Sequence, residues 1–264
     1  MASERGLATG GPSVDRDERI YVIGDIHGRY DLLRDILDKV EDHSNALPPV
    51  SSIHIVLLGD MVDRGPDAAS ILRFLYNVQQ RSDRIIVLLG NHEEMMLKAL
   101  DGQPEMVRAW LRIGGDATMR SFGIEPDDFD GDVRAIAAQF RSAVPKEWVE
   151  WLRRLPLTAR SGDYFFCHAG IRPGTAIKRQ TRSDLLWIRD EFLYDDTDHE
   201  AMVVHGHSIS ADVEMKTNRI GIDTGAYRTG VLTALYLEGT RRAILATAGE
   251  VSTASPQLDD ADLA

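Results

Sequence analysis

The chain has 264 residues, is 43% hydrophobic and carries 42 acidic against 30 basic residues, a formal net charge of −12. That length and apolar content suffice for one substantial core without a second domain. The acidic excess argues against nucleic-acid backbones and anionic membranes as partners. The lone Cys167 excludes an internal disulfide, no apolar run approaches membrane-spanning length, and the N-terminus lacks the apolar core of a signal peptide, so a reducing cytoplasm is the expected location.

Residues 1–18 are rich in Gly, Ser and charge and are expected to form a flexible leader before a domain covering 19–248. The apolar run 20–23 ends in Gly24-Asp25-Ile26-His27-Gly28, and Leu32, Leu33, Ile36, Leu37 and Val40 then recur at helical spacing, which predicts a helix over 30–42. After a proline-containing loop, the run 53–58 ends in Gly59-Asp60-Met61-Val62-Asp63-Arg64-Gly65. Pro66 then suits the first turn of a helix carrying Ala69, Ile71, Leu72, Leu75 and Val78. The run 85–89 ends in Gly90-Asn91-His92-Glu93 and leads into another helix. From 102 to 157 the pattern becomes helical without strands and reads as a helical insert over the site, a position suited to substrate selection.

Two later runs, 164–167 and 202–204, end in His168-Ala169-Gly170 and His205-Gly206-His207. Segments 219–222, 231–237 and 241–246, separated by glycine turns, read as strands of a second sheet. An acidic, polar tail covers 249–264 and is expected to be disordered.

Five strand ends thus deliver oxygen or imidazole donors, and a strand that stops at Gly-Asp places its carboxylate at the carboxyl edge of the sheet, where open α/β sheets gather their chemistry. The donors are oxygens and imidazole nitrogens with no thiolate, a set that suits Mn²⁺, Fe or Zn²⁺. Six ligands exceed what one catalytic ion with an open position needs. Two ions about 3.5–4 Å apart, bridged by one carboxylate, would use them all, with Asp60 the natural bridge because its strand lies between the other groups in sequence.

GDIHG, GDMVDRG, GNHEE, HAG and GHS, in this order, resemble the phosphoprotein phosphatase branch of the calcineurin-like metallophosphoesterases, in particular its bacterial, lambda-phosphatase-like type. The resemblance covers 19–237. It implies an α/β fold, a four-layer αββα sandwich of two mixed β-sheets flanked by helices, around a dinuclear centre of divalent ions, Mn²⁺ foremost with Fe or Zn²⁺ as alternatives. Carried over by position, Asp25 and His27 bind the first metal, Asp60 bridges, and Asn91, His168 and His207 complete the second. His92 resembles the general acid, with Asp63 orienting it, and Arg64 and Arg189 align with the arginines that hold the substrate phosphate.

The activity so implied is a serine/threonine protein phosphatase acting on phosphorylated proteins or peptides through a hydroxide that bridges the metals. The alternatives on the same scaffold are a symmetrical dinucleoside tetraphosphatase and a cyclic-nucleotide phosphodiesterase. The first carries alanine where this chain has Asp63 and GNHD where it has GNHE; the second carries a further histidine where this chain has Ile209. A catalytically dead binding module is disfavoured by the intact ligand set.

Overall fold

The computed structural model describes residues 11–125 and 132–247. Most of the expected leader and all of the expected tail lie outside the described residues.

Alternating side chains on the strands build the layers. In β1 (Glu18–Ile23), Ile20 and Val22 enter one apolar cluster while Tyr21 and Ile23 enter another. The first cluster lies between two sheets, where Ile20, Val22, Val56, Leu235 and Leu237 meet Tyr164, Phe166, Val204 and Ile220. The second packs the outer face of the first sheet against helices α1 (Tyr30–Asn45), α2 (Ala68–Gln79) and α3 (Asn91–Leu100) through Leu33, Ile36, Leu72, Leu75 and Met96. A third places Phe165, Cys167 and Val203 of the second sheet under α8 (Arg182–Trp187) and α9 (Asp190–Leu193), through Leu185 and Phe192. Helix, sheet, sheet, helix is the αββα arrangement that the motifs imply.

The first sheet has the order β10-β9-β1-β2-β3, with β2 (Ser52–Leu57) parallel to both β1 and β3 (Ile85–Val87). The second has the order β4-β5-β6-β8-β7, where β5 (Tyr164–Cys167), β6 (Met202–His205) and β8 (Arg219–Gly221) run parallel. Its edges are β4 (Thr158–Ser161) and β7 (Glu214–Met215), both antiparallel to their neighbours and neither foreseen from the sequence.

One sequence expectation changes here. The strands β9 (Thr233–Glu238) and β10 (Arg241–Ala246) belong to the first sheet, not the second, because β9 pairs antiparallel with β1 from Arg19↔Glu238 to Ile23↔Ala234. The strand before Asp60 is therefore next to an edge strand, and β1 holds the centre.

At the amino end, residues assigned to the leader are seated on the protein: Val14 is buried between the sheets and the Ser13 amide donates to Asp163. Within 102–157 the chain forms α4 (Pro104–Trp110), a π turn at Leu111–Gly115, α5 (Asp116–Ser121), α6 (Val133–Ala143) and α7 (Lys146–Arg154). No described helix is long and apolar enough to cross a membrane.

Candidate metal centre and active site

The loops that leave β1, β2 and β3 are locked to one another by backbone bonds. The amides of Ile26 and His27 donate to the Asp60 carbonyl at 3.1 and 2.8 Å, and the Gly28 amide donates to the Met61 carbonyl at 3.0 Å. Gly28 has φ +66, and a Cβ there would stand 2.3 Å from the Gly65 carbonyl oxygen, so only glycine lets these two loops touch. His27, Asp60, Asp63, Arg64 and His207 all hold positive φ. Such conformations cost on the order of 1–3 kcal/mol each and persist where surrounding bonds enforce them, characteristically at functional sites.

Together with the loops after β5 and β6, those loops bring five buried side chains into two adjoining donor groups. His27, Asp60 and His92 present ligand atoms within 4.8 Å of one another, and so do Asp60, His168 and His207, with Asp60 common to both groups. The tautomers are set from behind. His27 Nδ1 lies 2.9 Å from the Val62 carbonyl and His168 Nδ1 lies 3.0 Å from that of Leu58, which makes both Nδ1 atoms donors and leaves the Nε2 lone pairs facing inward.

His27 Nε2 is 3.6 Å from Asp60 Oδ2, and His168 Nε2 is 3.5 Å from Asp60 Oδ1. Asn91 Oδ1 sits 2.8 Å from His168 Nε2 and 3.1 Å from His207 Nδ1. Asp25 accepts the His207 amide at 3.0 Å.

This donor set fits divalent metal. Burial lowers the pKa of His27, His168 and His207, with neighbouring positive charge adding for His27 and His207, so the rings are neutral with lone pairs to give. Burial also raises Asp25 well above the usual carboxylate range, helped by Asp223 and Asp60. For Asp60 burial works the same way, but His168, His92 and His27 outweigh it and hold that carboxyl low. Asp25 Oδ1 and His207 Nε2 are buried with no hydrogen-bond partner. Buried carboxylates crowded together beside unpartnered donor atoms are costly unless a cation joins them.

His92, next to Asn91, is buried and held on both ring nitrogens. Its Nδ1 donates to Asp63 Oδ2 at 2.7 Å, and its Nε2 faces Arg64 Nη2 at 3.4 Å and Asp60 Oδ2 at 3.9 Å. Burial opposes charge on this ring, yet Asp60 and Asp63 overcome it and raise the pKa.

The insert supplies the rest of this arrangement. Trp110 Nε1 donates to both Asp63 oxygens at 3.0 and 2.9 Å, and Thr118 Oγ1 donates to Asp63 Oδ1 at 2.7 Å while accepting the Asp63 amide at 2.8 Å. The Gly114 carbonyl, within the π turn, accepts the Arg64 amide at 3.0 Å. The insert therefore grips the Asp63-Arg64 corner from behind, at a kink where Gly114 holds φ +108.

The two arginines take different positions. Arg64 lies 4.8 Å from the ring centroid of Tyr227, a residue of α10 (Ala226–Thr229) that also stands edge-on to His27. Arg189 is exposed, and its charge acts on His168 and His207. Arg64 thus lies at His92, while Arg189 lines a groove with Trp187 and carries charge felt at His168 and His207.

Several residues were missed or undervalued in the sequence. Glu93, which could equally have served only the helix dipole, is fully buried and accepts the amides of Asp60 and Gly90 on one oxygen and of Met61 and Val62 on the other. Asp223 is buried beside Asp25, and burial pushes its carboxyl up to about 6. Its cue was present: β8 ends in Ile222-Asp223-Thr224-Gly225, the grammar of the other site loops. Trp187, at the end of α8, is 37% exposed.

A protein of Nitrosospira multiformis named bis(5'-nucleosyl)-tetraphosphatase, symmetrical, is 26% identical over 83% of this chain and 92% of its own length. A protein of the same name from Legionella pneumophila is 31% identical over 58% of this chain, a match that spans 45% of that relative. A solved structure assigned provisionally as a diadenosine tetraphosphatase superposes with a TM-score of 0.60 at 20% identity, over 90% of this chain and 98% of its own.

These relatives correct the expectation of a serine/threonine protein phosphatase with phosphorylated protein or peptide partners. The physical reason is that Asp63 and Glu93, the residues that carried that choice, are spent on internal bonds to His92, Trp110, Thr118 and the 60–62 backbone, and both are fully buried. The calcineurin-like phosphoesterase family matches residues 18–229, across both sheets and every ligand loop, and the chain belongs to that family.

Proposed function

We propose that this protein hydrolyses dinucleoside polyphosphates, cleaving a dinucleoside tetraphosphate at its central anhydride to two nucleoside diphosphates. The observation that carries the reading is the pair of buried donor groups sharing Asp60, with Arg64 on one side and Arg189 on the other. A polyphosphate chain laid across that centre meets a guanidinium on each flank, which suits a substrate with phosphates on both sides of the broken bond. The names of the relatives support the same choice.

Asp25, His27 and Asp60 would hold one divalent ion, and Asp60, Asn91, His168 and His207 a second, with Mn²⁺ the first candidate and Fe or Zn²⁺ the others. When bound, such ions supply Lewis acidity that activates a water and neutralises phosphate charge. The protein's own groups do the remaining work. Arg64 and Arg189 bind and orient the phosphates, His92 Nε2 delivers a proton to the leaving oxygen, and Asp63 keeps His92 Nδ1 protonated so that Nε2 faces the centre.

The test is a substrate panel on metal-loaded protein: diadenosine tetraphosphate, a phosphopeptide and cyclic AMP at equal concentration. The expected result is ADP as the sole nucleotide product of the first and slower turnover of the others. Products ATP plus AMP would refute symmetrical cleavage, and a phosphopeptide or cyclic nucleotide turned over faster would refute the substrate class.

A further inference from the structure

Beside Arg189 lies a groove of about 360 Å³ lined by Arg172, Asp184, Trp187, Ile188, Arg189 and Glu191 among others, large enough for a small ligand. Arg172 on its rim is taken up by Asp184 at 2.9 Å and by Glu191, and Asp190 adds a further carboxylate beside Arg189. What the groove offers is Trp187, a large aromatic at 37% exposure.

The polar edge of that indole is already used. Its Nε1 donates to Glu94 Oε2 at 2.8 Å, and Glu94 is itself held by Arg182 at 2.6 Å and Lys98 at 3.1 Å. The Nε1 edge of the ring is therefore anchored, and no aromatic ring stacks on it among the described residues. The anchor also sets its place. Glu94 lies three residues past Asn91 on α3, about 4.5 Å of helical rise from a side chain that touches His168 and His207. Arg189 follows Trp187 by two residues and lines the same groove. A cation and an anchored aromatic thus share one groove, and the aromatic is tied through Glu94 to the helix that carries Asn91, a pairing that suits the phosphate and base of a nucleotide.

We propose that Trp187 is the stacking platform for one nucleobase of the substrate, with Arg189 binding the phosphates between that base and the donor centre. The proposal deepens the dinucleoside reading and rests on it for the identity of the natural ligand. An aromatic face accepts any base, since every base has a π face, so the site should select for a nucleoside without strong preference for which one.

The experiment is calorimetric binding of ADP and of pyrophosphate to the full chain loaded with Mn²⁺, as wild type, Trp187→Leu and Trp187→Phe. The wild type should prefer ADP over pyrophosphate. Trp187→Leu should cut that preference by about 5- to 150-fold, the span of base–aromatic stacking, and Trp187→Phe should restore most of it. Equal weakening of ADP and pyrophosphate in Trp187→Leu would mean a structural role and overturn the proposal, as would an unchanged preference.

Should Trp187→Leu not fold, indole fluorescence of the wild type decides. Quenching by ADP that ribose 5-phosphate does not reproduce supports the platform, and identical behaviour of the two refutes it. A wild type that binds ADP with base-dependent affinity but leaves diadenosine tetraphosphate intact would sink the proposed activity while leaving the groove standing.

Discussion

Glu93→Gln is the substitution that tests most of the site at once. The Glu93 carboxyl is fully buried and meets four amides: Asp60 and Gly90, each at 2.9 Å, on Oε2, and Met61 at 2.7 Å and Val62 at 3.1 Å on Oε1. Burial pushes this carboxyl up to about 8, with the Asp60 charge adding to it, but four donors occupy its lone pairs and no acceptor stands ready for a carboxyl proton. A carboxamide keeps one oxygen, and its NH₂ then faces two buried N–H groups. Each unsatisfied donor costs about 1–3 kcal/mol, so the substitution should cost about 2–6 kcal/mol. For a domain of this size that is a fall in Tm on the order of 10 °C.

Calorimetry in the presence of chelator isolates this effect from any change in metal binding. Because glutamine is the isostere of a protonated glutamate, a fall of less than about 2 °C would mean that the carboxyl is neutral in the fold and the four-amide argument is wrong. With metal restored, the loosened 60–62 turn should also bind Mn²⁺ more weakly in calorimetric titration, since Asp60 takes its direction from that turn.

Three further outcomes are expected. Asp60→Ala removes the donor common to both groups, so metal content measured by mass spectrometry should fall below one ion per chain; a variant retaining two would refute the bridging role. His92→Asn should slow hydrolysis of an alkyl phosphate by about 10²- to 10⁴-fold and of an aryl phosphate by less, because the better leaving group needs less protonation; equal losses would exclude proton delivery by His92.

Glu94 gives an acid-side signature. Burial opposes its charge, but Arg182, Trp187 and Lys98 outweigh that and depress its pKa. The stability it adds is thus present above the ordinary glutamate pKa of about 4.3 and lost as pH falls through the lower folded value. The Tm advantage of wild type over Glu94→Gln should shrink below about pH 4, and an advantage that grows in acid would reverse the assignment.

The six donors were legible because each follows an apolar run that stops at a glycine or a histidine, and strand ends in an open α/β sheet converge by topology. What could not be read is pairing over long separations. The periodicity of β9 states that one face is buried but not beside which strand, and its partner β1 lies more than two hundred residues earlier in the chain. Trp110 and Thr118 were hidden for a related reason. Both sit in short helices where an aromatic and a threonine look like packing, and only the fold reveals that their polar atoms end on Asp63. Trp187 inverts the case: its position near the end of an apolar helix suggests core, while its N–H bond to Glu94 turns the ring outward.

Substrate choice shows why a motif can identify a family yet mislead about its substrate. Asp63 has no exposed surface, and both its oxygens are filled by His92, Trp110 and Thr118. Its presence is felt in the orientation of His92, which any phosphate ester or anhydride with a basic leaving oxygen would exploit. Glu93 likewise shapes the Asp60 turn, which every substrate of the centre needs. Selection between a phosphoprotein and a dinucleoside polyphosphate has to come from side chains that reach the open side. There the chain places Arg64 between His92 Nε2 at 3.4 Å and the face of Tyr227 at 4.8 Å. Across the centre it places Arg189 beside Trp187. Under the dinucleoside reading proposed above, the two cations would meet the polyphosphate and Trp187 one of the bases, while the Tyr227 ring is already taken by Arg64 and His27.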